Sequence, residues 1–107
     1  MAKRYKIVTF VPADAADKIR RLLGELGAGH IGNYDMVSFS VRGIGRFRPL
    51  AGAKPALGEL GKIEEVEEER IETIVDEDAL EYVVKSIEDA HSYEEPVIDV
   101  YKLEDID

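Results

Sequence analysis

The sequence holds no cysteine and no glutamine, and Asn33 is its only asparagine. Without cysteine there is no disulfide, no thiolate metal site and no cysteine nucleophile. No apolar run approaches the roughly 20 residues of a membrane helix. Nothing resembling a leader precedes the alternating segment that begins at Tyr5, so a soluble, cytoplasmic protein is expected. Scarce side-chain amides beside 35% charged residues are a combination that thermophile proteins tend to show. The 107 residues predict one domain over 1–107, large enough to bury a core.

Charge is plentiful and unevenly placed. The net charge is −9, yet residues 1–55 carry ten Lys/Arg against four Asp/Glu, and residues 56–107 carry four against nineteen. Overall acidity argues against nucleic acid and anionic membranes as partners. The asymmetry would let the basic half of one copy meet the acidic half of another; the plainer reading is a solvated acidic face.

Residues 5–11 read as a first strand, rich in β-branched and aromatic side chains. Tyr5, Ile7 and Val11 point one way and Val8 and Phe10 the other, so both faces need a covering layer. Pro12 ends the strand, and Asp14 is placed to cap a helix to about Leu26. Ala15, Ile19, Leu22, Leu23 and Leu26 form its buried stripe, while Lys18, Arg20, Arg21 and Glu25 face water. Gly27 suits the position past its end. Residues 36–42 alternate as a second strand, with Val37, Phe39 and Val41 inward and Ser38 and Ser40 outward. A third strand spans 64–75; its glutamates at 64, 65, 67, 68 and 69 predict an exposed extension relieved by Arg46, Arg48 or Arg70. Asp76 is placed to cap a second helix over 78–90, with Leu80, Val83, Val84 and Ile87 buried, and residues 97–103 alternate as a fourth strand.

The order β-α-β, long loop, β-α-β is the split βαβ pattern. It predicts an α+β, ferredoxin-like sandwich with strand order 4-1-3-2 and both helices on one face of an antiparallel sheet. The other face then carries apolar residues, which predicts self-association. Between the halves, residues 43–61 follow neither period. Five glycines and two prolines interrupt them, and Arg42, Arg46 and Arg48 cluster at the start. So long a connection inside a small domain binds something or packs on another subunit.

Several chemistries are excluded on this scaffold. A glutamate-rich third strand repels phosphate, against RNA recognition. The first loop, VPADAAD, offers aspartates where an acyl-phosphate hydrolase needs an arginine cradle, and no Ser/His/carboxylate spacing forms a triad. The sequence predicts no enzyme. The loop 27–35 follows a helix and opens a strand, so it is not a phosphate-cradling fingerprint. Gly29, Gly32 and Asn33 serve positive φ angles in a tight turn or, alternatively, a polar contact to a ligand. His30 is a turn residue or a metal ligand. His91 with Glu94 and Glu95 has the residue types for one divalent ion; the competing reading makes His91 a helix-end donor, with Tyr93 and Pro96 as packing anchors.

Taken together, GAGHIGNYD (27–35), FRPLAGAKPALG (47–58), RIETIV (70–75) and HSYEEP (91–96) resemble the insert domain of the Nif-three-like proteins, also called GTP cyclohydrolase type 2 homologues, in a short stand-alone version. Lys54 and Ser92 stand where that family more often has asparagine and proline. The resemblance implies a PII/CutA-like domain that assembles as a trimer with its sheets inward. It also implies that the dinuclear metal site of the full-length proteins lies on a flanking domain, so no hydrolase activity carries over. The expected role is a non-catalytic, homotrimeric binding or regulatory module holding a small anionic ligand or a protein partner at subunit edges. Ligand or interface residues are Gly29, His30, Gly32, Asn33, Tyr34, Arg46, Phe47, Arg48, Pro49, Gly52, His91, Tyr93, Glu94 and Glu95. The alternatives are a divalent-metal protein using His91, Glu94 and Glu95, and a docking subunit for a metal-dependent hydrolase. No cofactor other than such a metal is expected.

Overall fold

Each change of apolar period along the chain marks a change of element. The computed structural model describes residues 3–106. Its elements are β1 (Arg4–Pro12), α1 (Ala16–Glu25), β2 (Phe39–Phe47), β3 (Glu64–Asp76), α2 (Leu80–Ala90) and β4 (Ile98–Lys102). All paired strands are antiparallel, in the order β2-β3-β1-β4. This is the expected order read from the opposite edge, and the fold is the α+β ferredoxin-like sandwich. Among the described residues no helix is long and apolar enough to cross a membrane.

Ile7 and Val11 of β1 and Ile71 and Val75 of β3 meet Ala16, Ile19 and Leu23 of α1 and Val83 and Ile87 of α2 in one core. Both helices therefore lie on the same face of the sheet. The end of α1 is held by a left-handed residue: Gly27 has φ 91°, its N–H reaches Gly24 O, and the Ala28 N–H reaches Leu23 O. The helix starts differ from expectation. Ala13–Ala15 and Glu77–Ala79 form single 3₁₀ turns, and neither Asp14 nor Asp76 makes a side-chain cap. A 3₁₀ turn already satisfies some free N–H groups, which removes the need for a capping carboxylate.

The second strand differs more. It begins three residues later than its alternation suggests and continues through Gly43 and Gly45 to Phe47. Residues 36–38 are drawn instead toward β3: the Val37 N–H donates to Gly29 O and the Thr73 hydroxyl donates to Val37 O. At the other end, β3 is 13 residues long, and its first half pairs with residues 43–47. The inward assignment of Phe39 and Val41 is corrected as well. In register with Glu72 and Arg70, they lie on the helix-free face, 63% and 50% exposed. Ser40 lies on the helix side, where Arg20 donates to it.

That helix-free face is less uniformly apolar than the sequence suggests. Val8 is fully buried, but Lys6 and Arg70 both pair with Glu72, and Arg70 lies over the Phe10 ring at 5.8 Å. Apolar exposure is at the margins, with Phe39 and Val41 on β2 and Tyr101 on β4.

Candidate functional site

Strand alternation sets the chemistry of the β2–β3 ribbon. Residues 42 and 46 share a face with Glu65, Glu67 and Glu69. Arg46 pairs with Glu65 at 2.6 Å, and Arg42 with Glu67 and Glu69 at 3.0 and 3.1 Å. Arg20, half-buried on α1, reaches across to Glu69 and back to Asp17. Three glutamates of the run are thus relieved within one chain, Glu65 by Arg46 as expected and Glu67 and Glu69 by Arg42 and Arg20, which sequence reasoning did not assign; Arg70 pairs instead with Glu72, outside the run. Arg48 has no ionic partner among the described residues. The Arg42, Arg46 and Arg48 cluster is therefore less open to an anionic ligand than its composition suggests: two of its three charges are already neutralised, because cross-strand register places carboxylates on the same face.

Hydrogen bonds from Arg20 first, then Arg42, hold the Glu69 carboxyl below the usual carboxylate range. Lys6 and Arg70 do the same for Glu72. A carboxylate whose folded pKa is depressed contributes stability above its unfolded pKa, near 4.5, and loses that contribution as pH falls through the folded value. Melting temperature is therefore expected to be flat from pH 7 to 5 and to drop below about 4.5. A Glu69→Gln variant should start lower and decline less over that range; an identical slope in a thermal melt series contradicts this role.

Beyond the end of β1 lies a pocket of about 410 Å³. Phe10, Phe47, Pro49, Pro55, Leu57 and Val97 supply much of its apolar wall, and Glu68 and Tyr93 supply polar groups. Its position follows from local chain geometry. Phe10, Glu68, Gly45 and Phe47 fall on the helix-free face by register, and the loops 48–63 and 91–97 close over them. The α2–β4 loop is fixed by His91, only 8% exposed. Its Nε2–H donates to Phe10 O at 2.7 Å, and its Nδ1 accepts the Tyr93 N–H at 3.0 Å. A carbonyl only accepts and an amide N–H only donates, so these partners select the neutral Nε2–H form. The His91 ring also packs at a tilt against Tyr93, whose ring meets Phe47. The Tyr93 hydroxyl donates to Glu68 Oε2 at 2.6 Å; burial first, then this carboxylate, pushes it far above the ordinary phenol value, so it remains a donor.

The expected site residues separate into two groups. Arg46, Phe47, Arg48, Pro49, Tyr93, Glu94 and Glu95 all line the pocket, with His91 behind Tyr93. Glu94 also accepts the Lys54 N–H, tying the two loops together. Gly52, at φ 96°, turns the 48–63 loop without lining the pocket. Gly29, His30, Gly32, Asn33 and Tyr34 stand elsewhere. Gly29 is bonded to Ile74 O, about 17–20 Å along β3 from Glu68 at the rise of a strand. Gly32, at φ 57°, opens a tight turn closed by two bonds between Ile31 and Tyr34; Asn33 does not take a positive φ, whereas Met36 does at 58°. His30 and Tyr34 are exposed.

The metal reading of His91, Glu94 and Glu95 is corrected by the same geometry. Both His91 ring nitrogens are engaged by backbone groups, leaving no lone pair for an ion. Among the described residues no three His, Asp or Glu side chains are grouped to hold one. Sequence reasoning missed the Glu68–Tyr93 pair. The signal was the glycine at 45, since a Cβ there would fall 1.9 Å from Glu68 Oε1.

No protein-family model matches the chain. Over 99 residues it is 48% identical to a GTP cyclohydrolase 1 type 2 homolog of Halalkalibacterium halodurans, covering 92% of this chain and 27% of that protein. Its identity to the Bacillus subtilis homolog is 42%, covering 92% and 26%. The chain spans about a quarter of the length of these curated relatives. In structure it matches a Bacillus cereus protein related to NIF3 with a TM-score of 0.84 at 43% identity, over 98% of this chain and 27% of that one. Archaeoglobus fulgidus CutA, a divalent cation tolerance protein, matches with a TM-score of 0.68 at 20% identity, over 95% and 85%; at that identity the likeness is one of fold. The resemblance to the insert domain of Nif-three-like proteins and its CutA-like fold is borne out.

Proposed function

We propose that this chain, homologous to the insert segment of Nif-three-like proteins, is a non-catalytic binding module of the cytoplasm. Three copies shield one another's helix-free sheet faces and hold a small ligand at the subunit edge. The observation that carries this reading is a shared surface. Exposed Phe39 and Val41 and the pocket residues Phe10, Phe47 and Glu68 lie on one face by strand register. Copies that cover the face therefore border the pocket. The absence of chemistry is supported by the engaged ring of His91 and by the spacing of the sequence, which offers no nucleophile–base pair. Light scattering across a dilution series tests the assembly. A mass of three chains at micromolar concentration is expected, and a 12.0 kDa particle throughout overturns it.

A second reading, docking on a larger protein such as a metal-dependent hydrolase, is favoured by Leu50, Leu57, Leu60 and Ile63. All four are exposed on the loop beyond the sheet. Co-purification from the native host with such a protein would support it.

A further inference from the structure

We propose that the pocket selects a small organic cation, an amine or amidine on an apolar body, through Glu68. The inference rests on reading this pocket as a ligand site and names the chemistry that the site takes. Glu68 is 8% exposed and borders the pocket. Along the same strand, Glu65, Glu67, Glu69 and Glu72 each pair with an arginine or lysine. Glu68 is as buried as any of them and has no cation among the described residues. Arg70, two residues away on the same face, is turned to Glu72.

Only one carboxylate oxygen is used. Oε2 accepts the Tyr93 hydroxyl. Oε1 has no hydrogen-bond partner, yet among the described residues no fully enclosed polar side-chain atom lacks one. Oε1 therefore reaches open space, and the space that Glu68 borders is the pocket. Gly45 makes the room, since any side chain there would collide with Oε1. Tyr93 cannot satisfy both oxygens, and its ring is fixed by His91 and Phe47.

A buried carboxylate without a counter-charge is costly, and a ligand that brings a cation into contact with it recovers that cost. The opposing charge in the wall is Arg48, which is exposed and screened by water, while Arg46 is spent on Glu65. Glu94 and Glu95 add further negative charge at the rim. The interior group outweighs the rim cation, so the ligand carries positive charge where the sequence pointed to an anion. A pocket of about 410 Å³ is at the small end of the range for small-molecule sites.

The test compares three probes of one size, benzylamine, benzyl alcohol and benzoate, by NMR titration of the full chain. Benzylamine should bind in the roughly millimolar range open to so small a molecule, shifting Tyr93 and Phe47, with benzoate at least about tenfold weaker. In Glu68→Gln, benzylamine should weaken about tenfold, to the level of benzyl alcohol, whose own affinity stays put. Benzoate binding as well as benzylamine, undiminished benzylamine binding in Glu68→Gln, or no binding by any probe overturns the inference. Should Glu68→Gln not fold, the ranking of the probes on the native chain decides alone. Mass measured on the same samples separates the two claims. A trimer indifferent to the amine refutes this inference and leaves the assembly, and a monomer that binds it does the reverse.

Discussion

Replacing Phe39 and Val41 together with lysine is expected to dissolve the assembly into single 12.0 kDa chains that remain folded. Both residues are more than half or half exposed in the single chain and contribute nothing to its core. Burying each against a neighbouring copy is worth about 1–2 kcal/mol, and a lysine there brings an unpaired charge into the contact instead. Every copy carries the substitution, so the effect repeats at each contact. Association should weaken by at least about a hundredfold, equivalent to roughly 2.7 kcal/mol. Circular dichroism and light scattering on one sample read both halves of the expectation. A double variant that keeps the native mass places the contact elsewhere on the molecule.

Gly29→Ala is expected to cost the fold about 3 kcal/mol, or ~15 °C in melting temperature. Two independent constraints meet at this residue. Its φ of 80° disfavours any side chain, and a Cβ would fall 2.2 Å from Val37 O and 2.8 Å from Val37 N. Backbone atoms cannot rotate aside as a lysine tip can. Relief would require separating the 27–37 loop from β3, breaking the Gly29 N–H bond to Ile74 O, the Val37 bond to Gly29 O and the Thr73 bond to Val37 O. Gly27→Ala is the control. Its φ is 91°, but nothing stands within 4 Å of the added carbon, so only the conformational penalty of about 1 kcal/mol applies. Equal losses in the two variants would contradict the steric account.

Much of the fold was legible because period carries it. The i, i+3, i+4 stripes gave α1 and α2, and the two-sided apolar alternation at 5–11 marked β1 as central. Arrangement across strands was less legible. Gly43 and Gly45 read as chain breakers, yet they alternate with Arg42, Ile44 and Arg46, and β3 is long enough to pair with them. The face taken by Phe39 and Val41 depended on their pairing with Glu72 and Arg70 of β3, a long-range register that no local pattern encodes. At the pocket, the sequence identified most of the wall from 46 to 49 and from 93 to 95. It misjudged the charge. Three arginines in a row of seven residues suggest an anion, and only pairing reveals that two are already matched by glutamates while Glu68 is not. His91 beside two glutamates likewise has the composition of a metal site, and only its hydrogen bonds exclude that.

Shielding of the helix-free sheet face by other copies of the chain is most directly tested by hydroxyl-radical footprinting at micromolar concentration, with Tyr82 as an internal standard. Tyr82, 65% exposed, lies on α2 away from that face, and Phe39 is 63% exposed in the single chain. The account predicts that Phe39 is labelled several-fold more slowly than Tyr82 and recovers its full rate in the Val41→Lys chain. Labelling of Phe39 as rapid as that of Tyr82 in the native chain would contradict it.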